Sequence, residues 1–265
     1  MKIGTVCPVW AETRYLPLVL EQMSLCPGPA LVVWQDKPLY WEGEGHAPSG
    51  HRSGVEDILA RFPKIEVMKI DHAPPGPAGE EFGGFKWLQK MAFVYMKATY
   101  KVDAILWSDS DWLFDLNMMQ QFYYELEVAE VDRKLWSVEA RHYWRDFGHT
   151  LADSPVTAVF PIDVPHLWSD YTEDQIHRSR YTLYHPAYIL TDAEMYQKVC
   201  SWGHAPLFKE RGFYEKEWLP KNDSIVNPKP SDVVPSANVW DRLKKWNALI
   251  CMCPATGCSL HGEPW

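Results

Sequence analysis

The first half of the chain alternates short apolar runs with stretches of helical period. Ile3 to Val9 is apolar and predicts a first strand. Leu16, Val19, Leu20 and Met23 then recur at three- and four-residue steps, a helix that Cys26-Pro27-Gly28-Pro29 stops. Ala30 to Trp34 predicts a second strand, with Asp36 just past its carboxyl end. Residues 37–54 are rich in Gly, Pro, Ser and His and read as a loop. Val55 to Phe62 predicts a short helix and Ile65 to Ile70 a third strand. His72 to Gly84 is a Pro/Gly loop, and the helix after it places Phe85, Leu88, Ala92, Tyr95, Met96 and Thr99 on one face. Ala104 to Trp107 predicts a fourth strand that runs into Ser108-Asp109-Ser110-Asp111-Trp112. Asp115 is placed to cap a helix carrying Leu116, Met119, Phe122, Tyr123 and Leu126, and Leu135 to Val138 predicts a fifth strand.

The second half is less regular. Residues 139–185 mix Trp, Tyr, His, Arg and Asp with few clear periods. Ala187 to Leu190 predicts a strand, Asp192 to Val199 a short helix, and residues 201–235 a loop-rich stretch. Val239, Leu243 and Trp246 mark a helix, Ala248 to Met252 a strand, and Cys258-Ser259-Leu260-His261 closes the chain. No internal repeat is evident. Strand and helix signals in alternation argue for an α/β fold with a mostly parallel central sheet flanked by helices. The 265 residues suit a single domain, with a regular half over 1–138 and a less regular half over 139–265.

Composition narrows the function classes. Hydrophobic residues are 46 % of the chain and charged residues 23 %, enough for a sizeable core. The net charge of −9 counts against nucleic acid as an obligatory partner, since phosphate contacts need Lys and Arg, but leaves room for a local basic groove. Of six cysteines, only Cys251, Cys253 and Cys258 cluster, and no fourth zinc ligand has a standard spacing. Reduced thiols in a buried strand are the better reading. The first apolar run is broken by Pro8, then by Glu12 and Arg14, so no signal peptide is read, and no apolar run reaches the length of a membrane span. The expectation is a soluble, cytoplasmic protein.

The chemistry concentrates at Ile105-Leu106-Trp107-Ser108-Asp109-Ser110-Asp111. A buried strand delivers two carboxylates at its carboxyl end, where open α/β sheets bind ligands. Side chains at i and i+2 of an extended segment point the same way. Two hard oxygen donors there suit Mn²⁺ or Mg²⁺, which can neutralise a pyrophosphate. The plainer alternative is a solvated turn with a helix cap. Lys86 and Lys90, one turn apart on the preceding helix, could reach phosphates or form a solvated face.

On these segments the sequence resembles the GT-A glycosyltransferases, especially the family 2 type. Thr5-Val6-Cys7-Pro8-Val9-Trp10 is similar to the family's opening strand and its Pro-containing turn against the nucleotide. Val32-Val33-Trp34-Gln35-Asp36 is similar to the second strand, whose terminal Asp contacts the base, and Trp107 to Asp111 resembles the Asp-x-Asp metal motif. The resemblance implies a nucleotide-sugar donor, a UDP-sugar favoured, held by Pro8, Val9, Trp10, Asp36, Lys86, Asp109, Ser110 and Asp111. It implies Mn²⁺ or Mg²⁺ held by Asp109, Asp111 and His261, the last on a terminal strand. It places the acceptor against the 139–145 stretch and the 186–199 segment, with Trp112, His142, Trp144 and His185 as candidate contacts. Asp232 matches the place of the family's acidic base, with Asp223 as runner-up, and an ordinary helix N-cap is the other role open to Asp232.

Two departures stand out: Ala11-Glu12 replaces the Asn that often follows the Pro turn, and no literal Glu-Asp acceptor motif is present. The acceptor is left open among a glycan, a protein, a small molecule and a hydroxymethylated DNA base. A nucleotidyltransferase shares the architecture and the paired acids, but usually has a Gly-rich basic loop where this chain has Pro8-Val9-Trp10-Ala11-Glu12. A non-catalytic carbohydrate-binding relative is the third class.

Overall fold

A computed structural model describes the chain apart from residues 39–45, 48, 72–82, 129–133, 164–171, 202–211, 221–227, 232–234, 247 and 249–265. Four strands form one parallel block of the sheet: β1 (Ile3–Val9), β2 (Ala30–Gln35), β3 (Glu66–Ile70) and β4 (Ala104–Trp107). Between them run α1 (Leu16–Met23), the short α2 (Val55–Leu59) and α3 (Gly83–Tyr100). All four strands match the apolar runs of the sequence to within a residue or so. β1, β2 and β4 are buried almost throughout, the pattern of strands covered on both faces. The helix expected over 55–62 ends at Leu59.

The second half is a correction to the sequence reading. Residues 139–185 are not irregular. β5 (Leu135–Trp144) is ten residues long, and β6 (Asp146–Thr150), β7 (Ser154–Pro161) and β8 (Ile176–Tyr188) fill most of the stretch. β5 pairs with β8 along one side. On its other side it pairs first with β7 and then with β6. Partly buried polar residues at Glu139, Arg141 and His142 blur the alternation along β5, and register shifts at Trp136/Ser137 and Tyr143/Trp144 break what period remains. Arg145, at a positive φ of 62°, makes the tight turn into β6. The expected strand from Ala187 is the tail of β8.

The sheet order among the described residues is β3-β2-β1-β4-β7-β5-β6-β9, with β8 on β5 and β9 being Lys229–Pro230. α4 (Leu116–Val128), α5 (Asp192–Ser201) and α6 (Ala237–Lys245) complete the layers. The carbonyl of Val6 faces β4 and accepts from the Ser108 amide at 2.9 Å, and pairing with β4 stops there. Two residues on, Pro8 faces the same side, so its missing N–H leaves no ladder bond unmade. A proline is thus tolerated in a central strand.

Segment 112–116 is tied down from two directions. Gln22 donates to the Trp112 carbonyl at 2.9 Å and accepts from the Phe114 amide at 2.9 Å. The buried Arg242 donates to the Phe114 carbonyl at 2.8 Å, to Glu21 at 2.9 Å, and to the Leu18 carbonyl. α6 is thereby clamped to α1 beneath the loop that carries the acidic pair.

Candidate active site

β1 leads through α1 to β2 on one side, while β4 lies on the other. This reversal opens a crevice at the carboxyl ends of β1 and β4, the place where open α/β sheets bind ligands. Pro8, Trp10 and Glu12 enter it from β1, and Asp109 and Asp111 from β4.

Reciprocal backbone bonds join Leu113 and Tyr184 at 2.9 and 2.7 Å, pinning the post-β4 loop onto β8. That register brings His185 against Asp111, Nε2 to Oδ1 at 3.2 Å. The other Asp111 oxygen faces Lys198 of α5 at 3.3 Å. His142 is the cross-strand partner of His185, and their Nδ1 atoms lie 2.9 Å apart. His142 Nε2 meets the Ser154 hydroxyl at 2.8 Å. Four side chains from the β4 loop, β8, β5 and β7 thus form one hydrogen-bonded chain.

The electrostatics of the two acids differ. Burial, then the Asp111 charge, push the Asp109 carboxyl up to about 6. Its oxygen accepts only the Trp107 indole N–H, at 3.1 Å, among the described contacts. Burial would raise Asp111 too, but His185 and Lys198 override it and hold that carboxyl below the usual range. Crowding in the cleft, and Asp111 beyond it, raise Glu12, whose carboxylate accepts the Trp10 amide at 2.8 Å. Burial, followed by Asp109, Glu12 and Asp111, lifts the Cys7 thiol, so it sits there as an inert neutral group. Burial, then His185, push His142 down to about 4.

The acidic pair fits a divalent cation in donor type and charge: two hard carboxylates, one of which, Asp109, makes no direct ion pair among the described residues. No group of three or more His, Cys, Asp or Glu surrounds a common metal position among the described residues. His261, Asp232 and Asp223 all lie outside the described residues.

An open cleft of about 460 Å³ adjoins the crevice, lined by Ala11, Ser49, Arg52, Ser53 and Gln197. Asp36 shapes its wall rather than projecting into it. The Asp36 carboxylate accepts from the Ser49 hydroxyl, which holds it below its ordinary value, and its carbonyl accepts from the Trp10 indole at 3.2 Å. Lys86 is half-buried on the first turns of α3, and Lys90 is exposed. Ser110 is nearly buried beside the pair.

The remaining expected contacts are core residues. Val9 is 1 % exposed and supports β1 from within the core. Trp112 packs in the α4 core. Trp144, 1 % exposed, is enclosed by Trp218, Phe213 and Tyr188, with the Arg145 guanidinium at 5.4 Å. Its ring is spent on protein, and stacking on an acceptor is corrected to a packing role. Lys198, Arg52 and Gln197 are site residues that the sequence reading missed. Lys198 had one available signal, as the only basic residue of the 192–199 helix singled out for the acceptor side.

No helix among the described residues is long and apolar enough to cross a membrane. No family model and no curated relative matches the chain. Solved structures to which it is similar include S. aureus TarS 1–349, at 10 % identity and TM-score 0.42 over 86 % of this chain and 78 % of that one. A second is 4-diphosphocytidyl-2C-methyl-D-erythritol synthase, at 13 % and 0.39 over 74 % and 98 %. A third is CMP:2-keto-3-deoxy-manno-octonic acid synthetase complexed with CTP, at 8 % and 0.40 over 79 % and 100 %. The architecture stands on the strand order itself: an α/β chain whose sheet is parallel across β1–β4, with an acidic pair in the crevice where that order reverses.

Proposed function

We propose that the chain is a metal-dependent glycosyltransferase of the GT-A type, moving a sugar from a nucleoside-diphosphate sugar, a UDP-sugar favoured, to a hydroxyl acceptor. The observation that supports this is the placement of Asp109 and Asp111. Two carboxylates follow β4 at the strand-order reversal, the place where open α/β sheets bind ligands.

Asp109 and Asp111 are the residues that would hold Mn²⁺ or Mg²⁺. When bound, the ion supplies charge neutralisation for a departing diphosphate. The chain does the rest. The Trp10 indole and Asp36 fix the 49–52 turn, which walls the nucleoside side of the cleft. Arg52 offers a planar donor fork to phosphate. His185 orients Asp111, and His142 in turn orients His185. If the transfer inverts, the acceptor's proton goes to a carboxylate, for which Asp232 is the first choice and Asp223 the second; a retaining transfer needs no such base. Acceptors under this reading are glycans, proteins and hydroxymethylated DNA bases, and a gel shift with modified against plain DNA separates the last class.

The test is a screen of nucleotide-sugars for slow hydrolysis, with Mn²⁺ and with chelator. The expected result is release of nucleoside diphosphate from one donor with the ion present, and its loss in Asp109→Ala. Release of pyrophosphate from a nucleoside triphosphate, with every nucleotide-sugar left intact, would establish a nucleotidyltransferase instead. Full turnover by Asp109→Ala in chelator would remove the cation from the site's chemistry.

A further inference from the structure

The two carboxylates of the pair are not equally available. Asp109 has an indole N–H for a partner, while each oxygen of Asp111 already faces a basic group, one of them an ammonium. That ammonium is held in place independently of Asp111. Lys198 Nζ also donates to the Ala187 carbonyl at 2.9 Å and lies 5.7 Å from the Tyr188 ring. Its helix is anchored at the other end by a bidentate pair, Arg14 to Glu194 at 2.9 and 3.0 Å. The Trp218 indole bonds to Asp192 at 2.9 Å. The lysine is therefore a built part of the site and not a side chain resting on its surface.

A divalent cation that uses both carboxylates must share Asp111 with this ammonium or take it over. Two cations a few ångströms apart in a half-buried crevice repel strongly. Gln197, the neighbour of Lys198 on α5, lines the open cleft, so one helix carries both the counter-cation of Asp111 and part of the cleft wall.

We propose that Lys198 is a displaceable internal counter-cation for Asp111. It lowers the site's affinity for a divalent ion when the cleft is empty. It transfers to the phosphates of a nucleotide when one arrives, so that ion and nucleotide bind together. The second half rests on the nucleotide-sugar reading above; the competition for Asp111 does not.

The experiment is calorimetric titration of Mn²⁺ into the whole chain, into Lys198→Met and into Lys198→Arg, each with and without saturating UDP. Without UDP, Lys198→Met is expected to bind Mn²⁺ about tenfold tighter than the parent, and Lys198→Arg to stay near it. UDP is expected to tighten Mn²⁺ binding in the parent and to do so far less in Lys198→Met. Equal Mn²⁺ affinities for the parent and Lys198→Met without UDP overturn the proposal. Thermal unfolding of each variant guards against a misfolded comparison, and Lys198→Gln replaces Lys198→Met should the latter fail to fold. If UDP does not bind the parent at all, the nucleotide reading falls while the competition for Asp111 is still decided by the first comparison.

Discussion

Asp109→Asn is expected to make the ion-free protein more stable at neutral pH while destroying its cation site. The Asp109 carboxyl moves from an ordinary 3.8 to about 6 on folding, first through burial and then through Asp111. At about 1.4 kcal/mol per tenfold change in proton affinity, the ionised form costs the folded chain about 2–3 kcal/mol above pH 6. Because the folded value is the higher one, the native state holds more protons than the unfolded state between 3.8 and 6. Stability from this group therefore rises as pH falls through that window. An asparagine has no charge to desolvate, and its carbonyl can still accept the Trp107 indole. Urea or thermal unfolding at pH 7.5 should show the variant more stable by about 2–3 kcal/mol, roughly 4–6 °C in Tm. The gap should close toward pH 4. His142, pushed down to about 4, acts with the opposite sign as pH falls from 6.5, but it is common to both proteins and cancels in the comparison. Mn²⁺ at about a hundred times its Kd should lift the parent by roughly 2.7 kcal/mol and leave the variant unmoved. A variant no more stable than the parent at pH 7.5, or a gap that ignores pH, would refute the reasoning.

Two further outcomes follow from the geometry. Arg242→Met leaves the Leu18 and Phe114 carbonyls and much of Glu21 without their donor in a buried place, so urea unfolding should show a loss of about 3–5 kcal/mol; a loss below about 1 kcal/mol would mean water replaces the clamp. Arg52→Ala removes an exposed guanidinium from the cleft wall, so UDP affinity measured by calorimetry should fall about tenfold with Tm unchanged; unaltered affinity would move the nucleotide away from this cleft.

How far the sequence could be read differs between the two halves of the sheet. β1, β2 and β4 are short apolar runs bounded by turn residues and covered on both faces, so burial alone marks them. β5 carries Glu, Arg and His on half-buried positions, β8 carries Arg and His on exposed and half-buried ones, and bulges shift their registers. Their period is lost to a reader of the chain, although the backbone pairing is continuous in space.

The sequence alone determined the alternation of β1 to β4 with their helices, and that a strand would end in two acids. Those are local facts, carried by hydrophobic period and by spacing along one segment. Tertiary structure decided which acid is matched and which is not. Asp111 meets His185 and Lys198 from 74 and 87 positions away because β8 and α5 fold back onto the β4 loop. It also decided that Trp144 is core and that Arg52 faces a cleft, since whether a side chain meets water or protein depends on what the rest of the chain lays over it.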